Sequence, residues 1–298
     1  MKYDSNILRN LTYILRYFKY SLEAVFALFI LSIFRIMPLD FASAFGGLIA
    51  RTIAPLTKPH RIARNNIEKA MPELSQAQVA KILSDMWDNL GRTIGEYPHL
   101  SRKIMQKRIT VEGREILEDI KTTGKSAIFV AGHFANWEIT PLTSAACGVP
   151  LILIYRAANN PLVDFIIKKL RSHYKIELHA KGKQGAKETI KALHSGKSVG
   201  LLIDQRTNDG EKLKFFNLPA MTTTGATSLA IKTATPIIAV RIVRTHGVHF
   251  HVTINPPIFY PKEKSKSQAM QEINDLLESW IREYPAQWFW VHRRWGKI

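Results

Sequence analysis

Two groups that acid–base chemistry needs stand close together in the run Gly132-His133-Phe134-Ala135-Asn136-Trp137-Glu138. An imidazole held at one nitrogen by a carboxylate presents its other nitrogen as a general base to an alcohol. Five steps of an ideal helix turn about 500°, which leaves positions 133 and 138 about 140° apart around the axis. His133 and Glu138 therefore cannot pair on a regular helix. They meet if His133 stands on a loop and the helix starts later, and Thr140 as N-cap with Pro141 at the first helical position offers that start. The alternative is a histidine and a glutamate each satisfied locally. Arg156 ends the apolar run Leu151–Ile154; its planar fork suits a phosphate or a developing oxyanion, and otherwise caps nearby carbonyls. Asp204-Gln205 ends a further run, where Asp204 either caps the following turn or joins His133 and Arg156.

These residues need strands to carry them. Beyond Arg108, short β-branched runs alternate with helical patterns: Ser126–Ala131, Val149–Tyr155, Val199–Ile203, Pro236–Val243 and Phe250–Ile254 read as strands, and Leu162–Leu170, Lys187–Leu193, Ala226–Ala234 and Ser267–Glu283 as helices. This alternation predicts an α/β fold with a mixed, largely parallel sheet flanked by helices. In such sheets ligands gather outside the carboxyl ends of the strands, which is where His133, Arg156 and Asp204 fall. Upstream, Ser75 with Gln78 forms a capping box, and Val79, Ile82, Leu83, Met86, Leu90 and Ile94 follow at helical spacing.

The chain has 298 residues, is 46% apolar, and carries 42 Lys+Arg against 24 Asp+Glu, a formal charge of +18. That composition excludes disorder and low complexity, and the charge implies a polyanionic partner: nucleic acid, an anionic membrane, an acidic protein or a phosphorylated substrate. The one cysteine, Cys147, excludes an intrachain disulfide framework. Residues 1–52 hold an apolar stretch preceded by Arg9, Arg16 and Lys19 among tyrosines, and the longest uncharged run, Ala24 to Phe34, is 11 residues. This reads as an N-terminal membrane-anchoring helix with a cytoplasmic basic flank, or as a core helix, ahead of a catalytic domain spanning 53–298. Several motifs fail on context. Gly196-Lys197-Ser198-Val199-Gly200 has its strand after the serine instead of before it, the Gly-Lys-Ser triplets at Gly124 and Gly196 lack the P-loop glycine, and His246, His249 and His251 have no sequence-adjacent carboxylate or cysteine. No metal is expected. The tail from Gln287, with Trp288, Phe289, Trp290 and Trp295 beside Arg293 and Arg294, reads as a membrane-interface segment or as packing on the core.

Taken in order, these motifs resemble the bacterial lipid A late acyltransferases, the lauroyl/myristoyl branch of the lysophospholipid acyltransferase superfamily. The resemblance is carried by the His133–Glu138 box, by Arg64-Asn65-Asn66-Ile67, Met71 to Ser75 and Glu96 upstream, and by Ile154-Tyr155-Arg156, Asn159-Asn160-Pro161, Asp204-Gln205, Phe215-Phe216 and Gln287 to Trp295 downstream. It implies an inner-membrane enzyme with a cytoplasmic active site. Such an enzyme moves an acyl chain from acyl carrier protein, or acyl-CoA, to a hydroxyl of a lipid A precursor, without a cofactor and without nucleic acid. Carried over, His133 is the general base and Glu138 its partner, with Arg156, Asp204, Asn136 and Gln205 as substrate- or oxyanion-binding residues. Asn217 stands where glycine is usual, and Arg206 where an acidic or small residue is commoner. The residues alone also admit a lysophospholipid or glycolipid acyltransferase, or a non-enzymatic basic protein binding membrane or nucleic acid. No activated serine or cysteine stands in a credible context, which predicts direct transfer through a ternary complex.

Overall fold

The computed structural model describes residues 2–101, 107–174 and 176–296. The expected single anchoring helix is two: α1 (Lys2–Ile36) and α2 (Leu39–Ile53) are broken at Pro38, which has no N–H to continue the first. α3 (Lys58–Ala70) and α4 (Gln76–Glu96) follow. The α4 capping box forms as the sequence predicts, with Gln78 N donating to Ser75 Oγ at 3.3 Å and Ser75 N to Gln78 Oε1 at 2.8 Å.

The five expected strands become β2 (Ile128–Ala131), β3 (Leu151–Tyr155), β5 (Ser198–Leu202), β8 (Ile237–His246) and β9 (His249–Ile254). Four others escape the sequence pattern. β1 (Ile109–Glu112) and β4 (Glu177–Ala180) are the sheet's two edges, where polar residues blunt the pairing face. The other two, β6 (Glu211–Phe215) and β7 (Leu218–Thr222), form a separate hairpin. Its two-residue turn holds Phe216 and Asn217 at φ +54° and +56°, the turn type that favours Asn or Gly and so accommodates Asn217 in place of glycine.

The main sheet runs β1-β9-β8-β2-β5-β3-β4, parallel throughout except for the β8–β9 hairpin. Strand residues alternate between two cores. Ile128, Val130, Ile237 and Ala239 face α4, the tail and two later helices, α9 (Gly225–Thr233) and α10 (Lys266–Glu283). Phe129, Ala131, Ile238 and Val240 face the other side, with α5 (Arg114–Thr123) and α6 (Ile139–Cys147). α7 (Pro161–Arg171) and α8 (Lys183–His194) complete the helices.

Candidate active site

β2 and β5 are adjacent and parallel, with Ala131 level with Leu202. Two residues beyond each, His133 and Asp204 therefore emerge side by side at the carboxyl edge. His133 Nδ1 lies 2.6 Å from Asp204 Oδ1, and the His133 backbone N–H donates to Asp204 Oδ2 at 2.7 Å. Trp288 Nε1 donates to that same oxygen at 2.7 Å. Asp204 is buried, which alone would raise its pKa, but the His133 imidazole and these hydrogen bonds hold it down at about 2. An ionised Asp204 accepts the Nδ1–H, so the lone pair of the neutral imidazole is at Nε2. The ring is fixed further by Trp137 and Phe289, at centroid distances of 5.1 and 5.8 Å.

Glu138 does not reach His133. Both its oxygens are taken by Arg171 at the end of α7, with Nε donating at 3.0 Å and Nη2 at 2.5 Å, and both side chains are largely buried. The expected His133–Glu138 pairing is thus replaced by His133–Asp204 and Glu138–Arg171. The reason is local and topological: α6 begins at Ile139 instead of after Thr140, placing Glu138 at the helix start, while β5 brings Asp204 beside β2. Asn136, expected at the substrate, is wholly buried; its Nδ2 donates to Glu96 Oε2 at 2.8 Å and its Oδ1 accepts from Glu138 N at 3.2 Å. Gln205 stays at the site, its Nε2 3.3 Å from His133 Nε2. Arg156 is exposed just past β3, the strand beyond β5.

The sequence reading passed over several of the residues that build this site. Of the two readings of the tail, packing on the core is the one seen: Gln287 to Arg294 fold across the loop that carries His133. Phe289 N donates to His133 O at 3.1 Å, Ala135 N donates to Gln287 O at 2.8 Å, and Asn66 Nδ2 donates to the carbonyls of Trp290 and His292, each at 2.7 Å. His292 Nε2 accepts from the Arg206 backbone N–H at 2.8 Å, and burial depresses its pKa to about 4 against the raising influence of Asp204. It is neutral at physiological pH. Trp137 lies inside the His133–Glu138 box and Trp288 inside the tail motif, though neither spacing assigns it a partner, and Arg171 belongs to no motif. His251 has no carboxylate beside it in the sequence but meets Glu112 of β1, 139 residues away, at 2.9 Å.

One cavity adjoins the loop and another lies at α1. A small one of about 60 Å³ lies behind Trp137, Glu138, Tyr155 and Arg171. A larger one of about 860 Å³, mostly apolar, opens between α1, the Tyr97–His99 turn and α7.

A family model described as bacterial lipid A biosynthesis acyltransferase matches residues 11–297. The chain is 26% identical to the lipid A biosynthesis palmitoleoyltransferase of Escherichia coli strain K12 over 83% of this chain and 81% of that one. It is 27% identical to the lipid A biosynthesis lauroyltransferase of the same organism, over 78% of each chain. Among solved structures it is similar to the 1-acyl-sn-glycerophosphate acyltransferase PlsC of Thermotoga maritima, with a TM-score of 0.39 and 15% identity over 84% of this chain and 99% of that one.

Proposed function

The chain belongs to the bacterial lipid A biosynthesis acyltransferase family, and from that membership we propose that it moves a fatty acyl chain from the thioester of acyl carrier protein, or acyl-CoA, to a hydroxyl of a lipid A precursor within one ternary complex. The observation that carries the chemistry is the His133–Asp204 pair at the carboxyl edge of the sheet. Asp204 holds the Nδ1–H, and Nε2 takes the proton of the acceptor hydroxyl as its oxygen attacks the thioester carbonyl carbon. The carbonyl π pair moves onto oxygen, for which the Gln205 amide beside Nε2 supplies an N–H donor. As the tetrahedral intermediate collapses, the C–S bond breaks and the proton on Nε2 passes to the departing sulfur. An ester and a free thiol result, and the imidazole is again neutral. Arg156 supplies a cation for the phosphates of donor or acceptor. Glu138 acts through Arg171, holding the loop without touching the reacting atoms.

Residues 1–52 anchor the enzyme in the inner membrane, and 53–298 form the catalytic domain with its mouth on the cytoplasmic side. The candidate spanning segment, Thr12–Ile36, is long and apolar enough to cross a bilayer and little of it is buried in the protein. The test is acyl transfer by the full chain in detergent or bilayer, read by mass spectrometry of the lipid acceptor. A gain of one acyl chain with release of one thiol is expected, and His133→Ala lowers the rate about 10²- to 10⁴-fold, the usual contribution of a general base. Activity confined to lysophosphatidic acid overturns the acceptor class; ping-pong kinetics or a trapped acyl-enzyme overturns the ternary complex.

A further inference from the structure

Glu96, the last residue of α4, is wholly buried, and the chemistry above makes no use of it. Three segments of chain meet on its carboxylate. Oε1 accepts from Ser43 Oγ of α2 at 2.7 Å and from Arg244 Nη1 of β8; Oε2 accepts from Arg244 Nη2 at 3.2 Å and from Asn136 Nδ2 of the catalytic loop at 2.8 Å. Burying an ion pair is costly, and well-packed apolar side chains stabilise a fold as well or better, so packing alone does not account for this arrangement. What the pair supplies is direction. The three residues that donate to Glu96 come from three different segments, and only Asn136 belongs to the loop that bears His133.

The loop itself needs holding. Ala135, a non-glycine residue, sits at φ +44°, a conformation that persists where its surroundings over-determine it. Its carbonyl accepts from Thr93 Oγ1 at 3.1 Å and Asn89 Nδ2 at 3.4 Å, both on α4 and both also bonded to Arg244. Asn136 then converts the Glu96 contact into geometry, because its other side-chain atom caps the Glu138 N–H at the start of α6.

We propose that Glu96 is the positioning residue of this site: pinned by Arg244, it fixes Asn136 and so the loop from which His133 projects, and through Ser43 it ties that loop to α2. α2 is the helix whose outer face exposes Phe41, Leu48 and Ile53, so the seating of an apolar surface helix and the placement of the base share one carboxylate. The inference rests on the acyl-transfer reading only for its rate measurement.

The test compares Glu96→Gln, Asn136→Asp and the double variant in the full chain. Glu96→Gln lowers kcat about 30- to 100-fold, the scale of loss from a displaced catalytic group, and leaves KM for donor and acceptor within about threefold. The double variant recovers about tenfold in kcat over Glu96→Gln, because the glutamine amide donates to the new carboxylate with the polarity of that hydrogen bond reversed. Amide hydrogen exchange over 132–138 quickens in Glu96→Gln and slows again in the double variant. Unchanged kcat in Glu96→Gln overturns the proposal. So does a double variant no faster than the worse single one, which marks a purely structural role. Wild-type protein that transfers no acyl group defeats the acyl-transfer reading instead, and the exchange measurement still decides for or against Glu96.

Discussion

At the scale of single residues, the site divides two carboxylates between two roles. Asp204 keeps an imidazole in one tautomer, and Glu138 neutralises a buried guanidinium. Substitution separates them. Asp204→Asn leaves a neutral side chain that no longer demands the Nδ1–H tautomer, and kcat falls about 10³-fold or more in the protein that remains folded. Glu138→Gln strands the charge of Arg171 in the interior and costs about 3–5 kcal/mol of stability, with a smaller loss of kcat in the protein that remains folded. Thermal unfolding and initial rates on both variants check this. The reverse pattern returns Glu138 to the imidazole. His133 was legible in the sequence because a strand followed by Gly-His announces a strand-end loop. Its partner was not, since the choice between a carboxylate five residues away and one 71 residues away depends on which strands lie side by side. Asn136 misled for a related reason: an amide beside a base reads as a substrate ligand until its burial is known.

At the scale of elements, strand and helix grammar placed the central strands and most of the helices, and missed edges and hairpin because those runs are only four or five residues long and mostly poor in β-branched side chains, too short for an alternation to stand out. What no pattern conveyed is how closely α2 approaches α4. A Cβ added at Gly91 would lie 2.2 Å from Gly46 O and 2.5 Å from Ala50 Cβ, and one at Gly95 would lie 2.2 Å from Ala42 O. Backbone meets backbone there, and Ser43 reaches Glu96 across that contact. The sign of one substitution decides whether the contact governs. In a helix interior alanine is better than glycine by about 1 kcal/mol, so Gly91→Ala stabilises an α4 that is free of α2. With the helices in contact, the added methyl forces them apart and destabilises by about 1–3 kcal/mol. We expect the melting temperature to fall, and acyl transfer with it; a rise shows that α2 packs less closely.

At the scale of the molecule, the formal charge of +18 is carried almost wholly outside the core, because the buried cations are matched by buried carboxylates. Arg171 and Arg244 spend theirs on buried carboxylates, and Arg294 is enclosed, donating to Met221 O at 2.8 Å and to Thr222 Oγ1 at 2.7 Å. The cations left outside share that exterior with an unusual amount of apolar side chain. Phe26 and Phe29 on α1 are 66% and 60% exposed, Phe41 and Ile53 on α2 are 57% and 56%, and Phe165 on α7 is 67%. Exposed apolar area on this scale marks a surface that is covered in use, and three helices present it together. Charge and burial make opposite demands on how the protein leaves a membrane. Attraction to anionic headgroups is screened within about 3 Å at 1 M salt, whereas apolar side chains in the hydrocarbon are indifferent to salt. Membranes washed in 1 M salt should therefore retain the full chain, and detergent should release it; release by salt alone would show that charge does the holding and that α1 lies on the surface. Placing aspartates at Phe26 and Phe29 should turn the retained protein into a salt-extractable one, because each charge must then be carried into the bilayer at about 2.5–3.5 kcal/mol on insertion scales. Retention unchanged by that pair of substitutions would move the anchor from α1 to the faces of α2 and α7.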